Sequence, residues 1–269
     1  MTSKPSRSKT AEMTFWEHTA ELLGRLRTIL ASVILAGVAI GFLPTDIASI
    51  FNPLSFNYTP LVSIVLKRIQ WDLLPPNVVL IAGSVVDTAT VYLVMSMLVG
   101  VVVCTPVIAY ELFLFINPAL YPHERKFMFR FMFSFIALFV AGAIFSYKVV
   151  IPVTLRVLLW FIFSAGAAPF IPIADFVYQV VALIVVVGLF YTFPVFFVLL
   201  VKQGIIQSDY LINNRKGVYV AFLVAAIVLT ADPTPITDML LFMPFVVLFE
   251  MTVWVSKFVE KRAEHKQAT

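Results

Sequence analysis

The residues in this sequence whose types and spacing could do chemistry are carboxylates and arginines near its polar segments. Glu17, Glu21 and Arg25 recur every four positions, which places them on one stripe of a helix. Further along, Glu124 stands beside Arg125 at the tip of a compact turn. Carboxylates so placed can bind guanidinium groups through paired, charge-assisted hydrogen bonds. A solvated helix face produces the same spacing, so the first group alone does not decide in favour of a site.

Other kinds of site chemistry find little support. The three histidines, His18, His123 and His265, are scattered, and Cys104 stands alone inside an apolar run. Neither a disulfide nor a metal site is therefore expected. There is no phosphate loop of the Gly-x-x-x-x-Gly-Lys kind. We predict that the protein is not an enzyme, holds no cofactor and no metal, has no catalytic residues and has no nucleic-acid partner.

The amino-acid composition indicates whether the elements that carry these groups are surrounded by water or by lipid. Hydrophobic residues make up 61% of the 269 positions and charged residues 13%, whereas soluble domains are about 45–50% apolar and about 25% charged. So much apolar surface must face lipid. The sequence therefore predicts an all-α polytopic membrane protein, a single transmembrane domain over residues 1–269. The ends, 1–12 and 258–269, are expected to be flexible cytoplasmic tails.

Six apolar stretches approach the length of about 20 residues that a membrane-spanning helix needs. The first is expected to be a retained helix rather than a cleaved signal peptide, because five more follow it. The last two are short, since 15 residues at about 1.5 Å each cover about 22 Å of a hydrocarbon core of about 30 Å. The predicted spans are 26–43, 88–110 with an extension to 116, 127–150, 176–201, 217–231 and 239–256.

The segment between the first two spans is amphipathic. Its helical patch at 61–74 is interrupted by charges and ends before Pro75 and Pro76, which break helices. We predict a periplasmic cap lying on the membrane surface. Of the 19 lysines and arginines, an N-terminus-inside arrangement puts 15 on the inner side and four on the outer side. This bias predicts that both termini are cytoplasmic.

Three motifs in order carry a resemblance to a known family. They are His-x-x-Glu-Leu at 18–22, Pro-Ala-Leu-Tyr-Pro-His-Glu-Arg at 118–125, and Leu-Thr-Ala-Asp-Pro-Thr-Pro-Ile-Thr-Asp at 229–238, which is followed by Met-Pro-Phe-Val-Val-Leu-Phe-Glu at 243–250. Over about residues 13 to 258 the chain resembles the TatC family of the twin-arginine protein translocase. Prolines also stand where that family places helix-bending ones, at Pro53, Pro106, Pro152, Pro194 and Pro244.

The resemblance implies a receptor subunit of the cell inner membrane. Such a protein binds twin-arginine signal peptides of folded precursors at its cytoplasmic face and gathers single-span partners of the TatA and TatB type. It is expected to self-associate in the lipid bilayer and to work on the proton-motive force. The residues implied are Glu21, Glu124, His18, Arg25 and Arg125 for signal-peptide binding; Thr192, Glu250 and Pro194 for partner binding; and Pro53, Pro118 and Asp232 for structure.

Two positions depart from the family pattern, and other functions compete. Leu23 stands where the family often has arginine, and Thr192 where it usually has Glu or Gln. The main rival is a secondary transporter of a small solute or ion, but no internal repeat is visible and the midplane offers few polar groups. A scaffold for other membrane proteins would use surfaces as a receptor does, and the sequence does not separate the two.

Overall fold

A computed structural model of the chain describes residues 15–45, 59–116, 125–203, 205–230 and 235–267. Long apolar runs fold as helices because a helix satisfies its own backbone hydrogen bonds where no water is available. In chain order the elements are α1 (Phe15–Gly41), α2 (Leu61–Leu73), β1 (Val79–Ile81), α3 (Val85–Ile116), α4 (Arg125–Phe145), a π-helical turn (Ser146–Val150), α5 (Ile151–Ser164), β2 (Phe170–Pro172), α6 (Ile173–Lys202), α7 (Ser208–Asn213), α8 (Arg215–Thr230) and α9 (Pro235–Gln267).

Among the described residues, five helices are long and apolar enough to cross a membrane. They are Thr19–Gly41, Val85–Ile116, Met128–Ser164, Ile173–Lys202 and Pro235–Phe258. Helix α8 has 16 residues and is short, as its sequence predicts. The prediction of a short sixth span was wrong, because α9 runs for 33 residues and the apolar part alone covers 24. The tail predicted to begin at residue 258 also continues this helix as far as Gln267.

The helix that contains the third predicted span is much longer than the sequence suggested. The prediction ended it near Val150, yet α4, the π-helical turn and α5 follow one another without a break to Ser164. Pro152 lacks a backbone N–H, and its ring conflicts with the carbonyl of Lys148 four residues earlier. The wider π-helical turn falls just before this proline and relieves that conflict.

The expectation of an all-helical fold also needs a small correction. Strands β1 and β2 form a two-stranded parallel sheet, in which Val79 pairs with Phe170 and Ile81 with Pro172. Helix α2 ends at Leu73, just before the two prolines, and buries Val62 and Leu66 against the bundle. The location of α2 on the periplasmic surface of the membrane stays a prediction.

Helices α1 and α3 pack antiparallel at close range. A Cβ built on Gly100 of α3 would lie 2.9 Å from the backbone nitrogen of Gly37 and 2.9 Å from the carbonyl oxygen of Val33, both on α1. Small residues let helix backbones approach in this way in membranes. Further towards the N-terminus of α1, Cys104 Sγ donates to the carbonyl of Ser32 at 3.4 Å. These contacts set the register of the pair, and the register determines which polar side chains meet.

Candidate functional site

The antiparallel register brings the polar stripe of α1 against one carboxylate of α3. Glu21 and Arg25 lie in the N-terminal half of α1, and Glu111 lies close to the C-terminal end of α3. Because the two helices run in opposite directions, these parts share one end of the bundle. The three side chains form what we call the Glu–Arg–Glu cluster.

Arg25 is the centre of the cluster. Its Nε and Nη2 both donate to Oε1 of Glu21, at 3.0 and 2.6 Å, and its Nη1 donates to Oε2 of Glu111 at 3.2 Å. The first pair joins residues one helical turn apart, and the second joins α1 to α3. A single guanidinium thus bridges two carboxylates, which leaves the cluster with one net negative charge.

The cluster is largely withdrawn from solvent. The side chains of Glu21, Arg25 and Glu111 are 20%, 22% and 15% exposed. Oε2 of Glu21 is buried and accepts no hydrogen bond from the described residues. A buried acceptor without a donor is costly, so a further donor reaching it would be bound favourably. The arrangement is therefore suited to binding a second cation.

The structure describes the other residues expected at this site only in part. Glu124 lies outside the described residues, in the segment between the end of α3 and the start of α4. His18 belongs to α1, one turn before Glu21, and Arg125 is the first residue of α4. The structure describes the backbone of these two positions. Their roles, like that of Glu124, stay predictions.

The sequence did not single out Glu111 as a site residue. It lies near the end of an apolar span, where a charged side chain can reach the membrane surface at little cost. Only the pairing of α1 with α3 shows its partner. The available signal was that an arginine at the start of the first predicted span and a glutamate near the end of the second lie at the same membrane end in an N-terminus-inside topology.

Two of the residues expected to bind partner helices lie inside the bundle. The side chain of Thr192 is 2% exposed, and its hydroxyl donates to the carbonyl of Leu189 at 2.7 Å. Pro194 is also buried, within α6. Their neighbour Phe193 is exposed and lines an apolar groove between α6, α8 and α9. The partner-binding role of Thr192 and Pro194 stays a prediction.

Glu250, the third residue expected to bind partners, connects two helices of the chain itself. Its carboxylate accepts from Nη1 of Arg215 at 3.0 Å and from the hydroxyl of Tyr219, both on α8. The side chains of Arg215 and Glu250 are 36% and 40% exposed. Glu250 thus stabilises the contact between α8 and α9 and remains accessible from outside. The three structural residues named from the sequence, Pro53, Pro118 and Asp232, lie outside the described residues.

A second polar cluster lies where α2 meets the π-helical turn. Tyr147 donates its hydroxyl to Oδ2 of Asp72 at 2.8 Å, and Arg68 pairs with the same carboxylate at 3.2 Å. The hydrogen bond from Tyr147 and the charge of Arg68 hold the pKa of Asp72 below its usual range, although desolvation acts the other way. The hydrogen bond from Tyr147 joins α2 to the bundle, whereas the Arg68–Asp72 pair lies within α2.

The described part of the chain contains no group of three His, Cys, Asp or Glu side chains that could hold a metal ion. Its polar side chains include ion pairs between helices, such as Arg25 with Glu111, and a buried carboxylate oxygen of Glu21 that has no donor among the described residues. Fold and cluster together define a multi-pass helical membrane protein with a half-buried Glu–Arg–Glu cluster at one end of its first two long helices.

Comparison with known proteins identifies the family. A family model described as "Sec-independent protein translocase protein (TatC)" matches residues 17–244. The chain therefore belongs to the TatC family, and it is a protein-translocase subunit of the inner membrane rather than an enzyme.

Relatives of the chain match it over nearly its whole length. It is 29% identical to the Sec-independent protein translocase protein TatC of Aquifex aeolicus, over 95% of this chain and 99% of the relative. It is 27% identical to TatCy of Bacillus subtilis, over 98% and 96%. A solved structure described as "Crystal Structure of Twin Arginine Translocase Receptor- TatC" superposes with a TM-score of 0.72 at 26% identity, covering 90% of this chain and 99% of that one.

Proposed function

We propose that this protein is the receptor subunit of a twin-arginine translocase and that it binds the twin-arginine signal peptides of folded precursors at its cytoplasmic face. The observation that carries the proposal is the Glu–Arg–Glu cluster, in which Oε2 of Glu21 is buried without a donor. An arginine of a signal peptide would supply that donor. The similarity of the chain to a solved twin-arginine translocase receptor supports the same function.

The chemistry of the site favours arginine over lysine. A guanidinium is planar, always charged and able to make two parallel hydrogen bonds to a carboxylate, whereas an ammonium is a compact point charge. We propose that Glu21 binds one arginine of the pair and Glu124 the other, with His18 and Arg125 in support. We propose that Arg25, which the resemblance also implied for this site, takes part as the internal partner of Glu21 and does not contact the peptide. Each charge-assisted contact is worth about 1.5–3 kcal/mol when partly desolvated.

The proposed topology has six crossings, with both termini in the cytoplasm. Five helices in the described part of the chain have the length and apolar character to span the membrane, and we propose α8 as the sixth crossing although it has only 16 residues. A short span is accommodated by local bilayer thinning or by packing against longer neighbours. The excess of lysine and arginine on the inner side supports this orientation, and α2 then lies on the periplasmic side.

We further propose that the protein recruits single-span partners of the TatA and TatB type, associates with copies of itself and transports on the proton-motive force. Exposed apolar side chains on α6, α8 and α9, among them Phe193 and Val220, offer surfaces to other helices in the bilayer. These surfaces face lipid in a single copy.

Site-specific photo-crosslinking in native membranes tests the receptor function. Probes at Leu22 and Leu23, which are exposed beside Glu21, and at His123, beside Glu124, are combined with a radiolabelled twin-arginine precursor. We expect adducts that disappear when both signal arginines are changed to lysine. The matched control is a probe at Trp71 on α2, which is 85% exposed and expected on the opposite side. Adducts that survive the change to lysine would contradict the proposal, and so would a lack of adducts from all three inner positions.

A further inference from the structure

The way in which Arg25 contacts Glu21 is unusual for an arginine–carboxylate pair. Such pairs are frequently bidentate, with two parallel N–H···O bonds to the two carboxylate oxygens. Here Nε and Nη2 of Arg25 both donate to the same oxygen, Oε1 of Glu21, and Oε2 receives nothing from the described residues. Both donors on that edge of the guanidinium therefore meet at one oxygen, and the second oxygen has no donor among the described residues.

Glu111 contacts another nitrogen of the same guanidinium. It accepts a hydrogen bond from Nη1, the remaining terminal nitrogen of Arg25, at 3.2 Å. The guanidinium is thus shared between Glu21 on α1 and Glu111 on α3. Since all three side chains are at most 22% exposed, their charges are only partly screened by water.

The formal charges of the Glu–Arg–Glu cluster also affect whether Glu21 can bind an external cation. With Glu111 present, two carboxylates share one guanidinium, and one negative charge is left for a ligand. Without it, Arg25 and Glu21 would form a neutral pair. Glu21 could then bind an external guanidinium only after its contact with Arg25 was broken.

We propose that Glu111 is a positioning residue for signal-peptide recognition: it holds Arg25 away from Oε2 of Glu21 and so keeps Glu21 able to accept an arginine from outside. This inference rests on the proposed receptor function and adds to it a residue in a different span. Glu111 acts through Arg25 and does not itself contact the ligand.

The test measures binding of a fluorescent twin-arginine signal peptide to the full-length protein in nanodiscs. The variants are Glu111→Gln, Arg25→Gln, the double variant Arg25→Gln/Glu111→Gln, and Glu21→Gln. We expect Glu111→Gln to weaken binding about tenfold, which corresponds to about 1.4 kcal/mol. Arg25→Gln should bind at least as tightly as the wild type, because Oε1 of Glu21 is released as well.

The double variant separates positioning from simple helix tethering. In the absence of Arg25, no internal guanidinium competes for Glu21, and Glu111 is no longer needed to keep Arg25 from Oε2. The double variant should therefore recover most of the binding lost in Glu111→Gln. A mere tether between α1 and α3 requires Arg25→Gln and Glu111→Gln to be equally impaired, with no recovery in the double variant. Direct contact between Glu111 and the peptide also forbids recovery. Either result would overturn the inference, and so would wild-type binding by Glu111→Gln.

Failure of the inference is distinguishable from failure of the receptor function. If the wild type prefers the twin-arginine peptide to its twin-lysine counterpart and Glu21→Gln loses that preference, the receptor function stands whatever Glu111→Gln does. If the wild type shows no preference, the receptor function fails, and the role of Glu111 fails with it. Thermal unfolding of each variant, together with rescue by Glu111→Asp, establishes that any lost binding does not come from misfolding.

Discussion

Gly100 of α3 lies directly against Gly37 of α1, so that a Cβ on Gly100 would come within 2.9 Å of the Gly37 nitrogen. This contact lies between the two ends of the helix pair, and it sets the register in which Arg25 reaches Glu111. The position of the candidate site therefore depends on two glycines that carry no polar chemistry of their own.

Gly100→Ala is expected to destabilise the protein by roughly 1–3 kcal/mol, the usual range for overpacking, because backbone atoms rather than a flexible side chain stand in the way. Thermal unfolding in detergent measures the change. The control is Gly24→Ala, since nothing lies within 4 Å of a Cβ at that helical position, and alanine there is expected to be neutral or slightly stabilising. Equal unfolding temperatures for the two variants would show that the close approach of α1 and α3 is wrong.

Glu250→Gln is expected to lower stability by less than about 1 kcal/mol, because its pair with Arg215 is partly exposed. Glu250→Leu should be more damaging, since it removes the acceptor of Tyr219 and leaves Arg215, whose Nε is already buried without an acceptor, with no carboxylate. Unfolding and precursor export are measured for both variants. A Glu250→Gln protein of normal stability that fails in export would show that the carboxylate serves a partner as well as the α8–α9 contact.

Tyr147→Phe is expected to change how stability depends on pH in the acid range. The hydrogen bond from Tyr147 is the largest cause of the lowered pKa of Asp72. A group whose pKa is lower in the folded state stabilises the fold above its unfolded value of about 3.9, and this contribution is lost as the pH falls through the folded value. Without the hydroxyl, the folded pKa rises towards the unfolded value, so the loss on acidification becomes smaller.

Unfolding temperatures measured between about pH 2 and pH 5 compare Tyr147→Phe with the wild type. Tyr178→Phe is the matched control, since Tyr178 is an exposed tyrosine on α6. The same acid dependence in wild type and Tyr147→Phe would contradict the role given to this hydrogen bond.

Cysteine crosslinking distinguishes two neighbouring positions on α6. In a Cys104→Ser background, Phe193→Cys is expected to crosslink to single-span partners, because Phe193 is 43% exposed. Thr192→Cys is expected to yield little product, because Thr192 is 2% exposed and covered by the chain's own side chains. Efficient crosslinking from position 192 would mean that the bundle opens when partners bind, and would favour a direct role for Thr192.

Several features followed from the sequence because they depend on local chemistry. Uncharged apolar runs predicted the helices that became α3 and α6, and the paired prolines after residue 74 predicted the end of α2. The limits of the third and sixth spans were wrong for physical reasons. A π-helical turn absorbs Pro152, and α9 continues through its polar C-terminal part to Gln267. Local hydropathy detects neither effect.

The residues of the candidate site also differ in whether the sequence alone reveals them. Glu21 and Arg25 could be found from their spacing, since an interval of four residues on a helix is a local property. Glu111 could not, because its contact with Arg25 spans 86 residues of sequence and depends on the register set by Gly37 and Gly100.

The sequence by itself determined that this chain is a helical membrane protein of the TatC family, because composition, hydrophobic run length and short motifs are properties of neighbouring residues. Only the tertiary structure decided that Arg25 is shared between Glu21 and Glu111 and that one oxygen of Glu21 is left without a donor. It also decided that Thr192 faces inward while Phe193 faces outward. Those outcomes depend on how closely helices far apart in sequence approach one another, and steric fit between whole helix faces sets that distance.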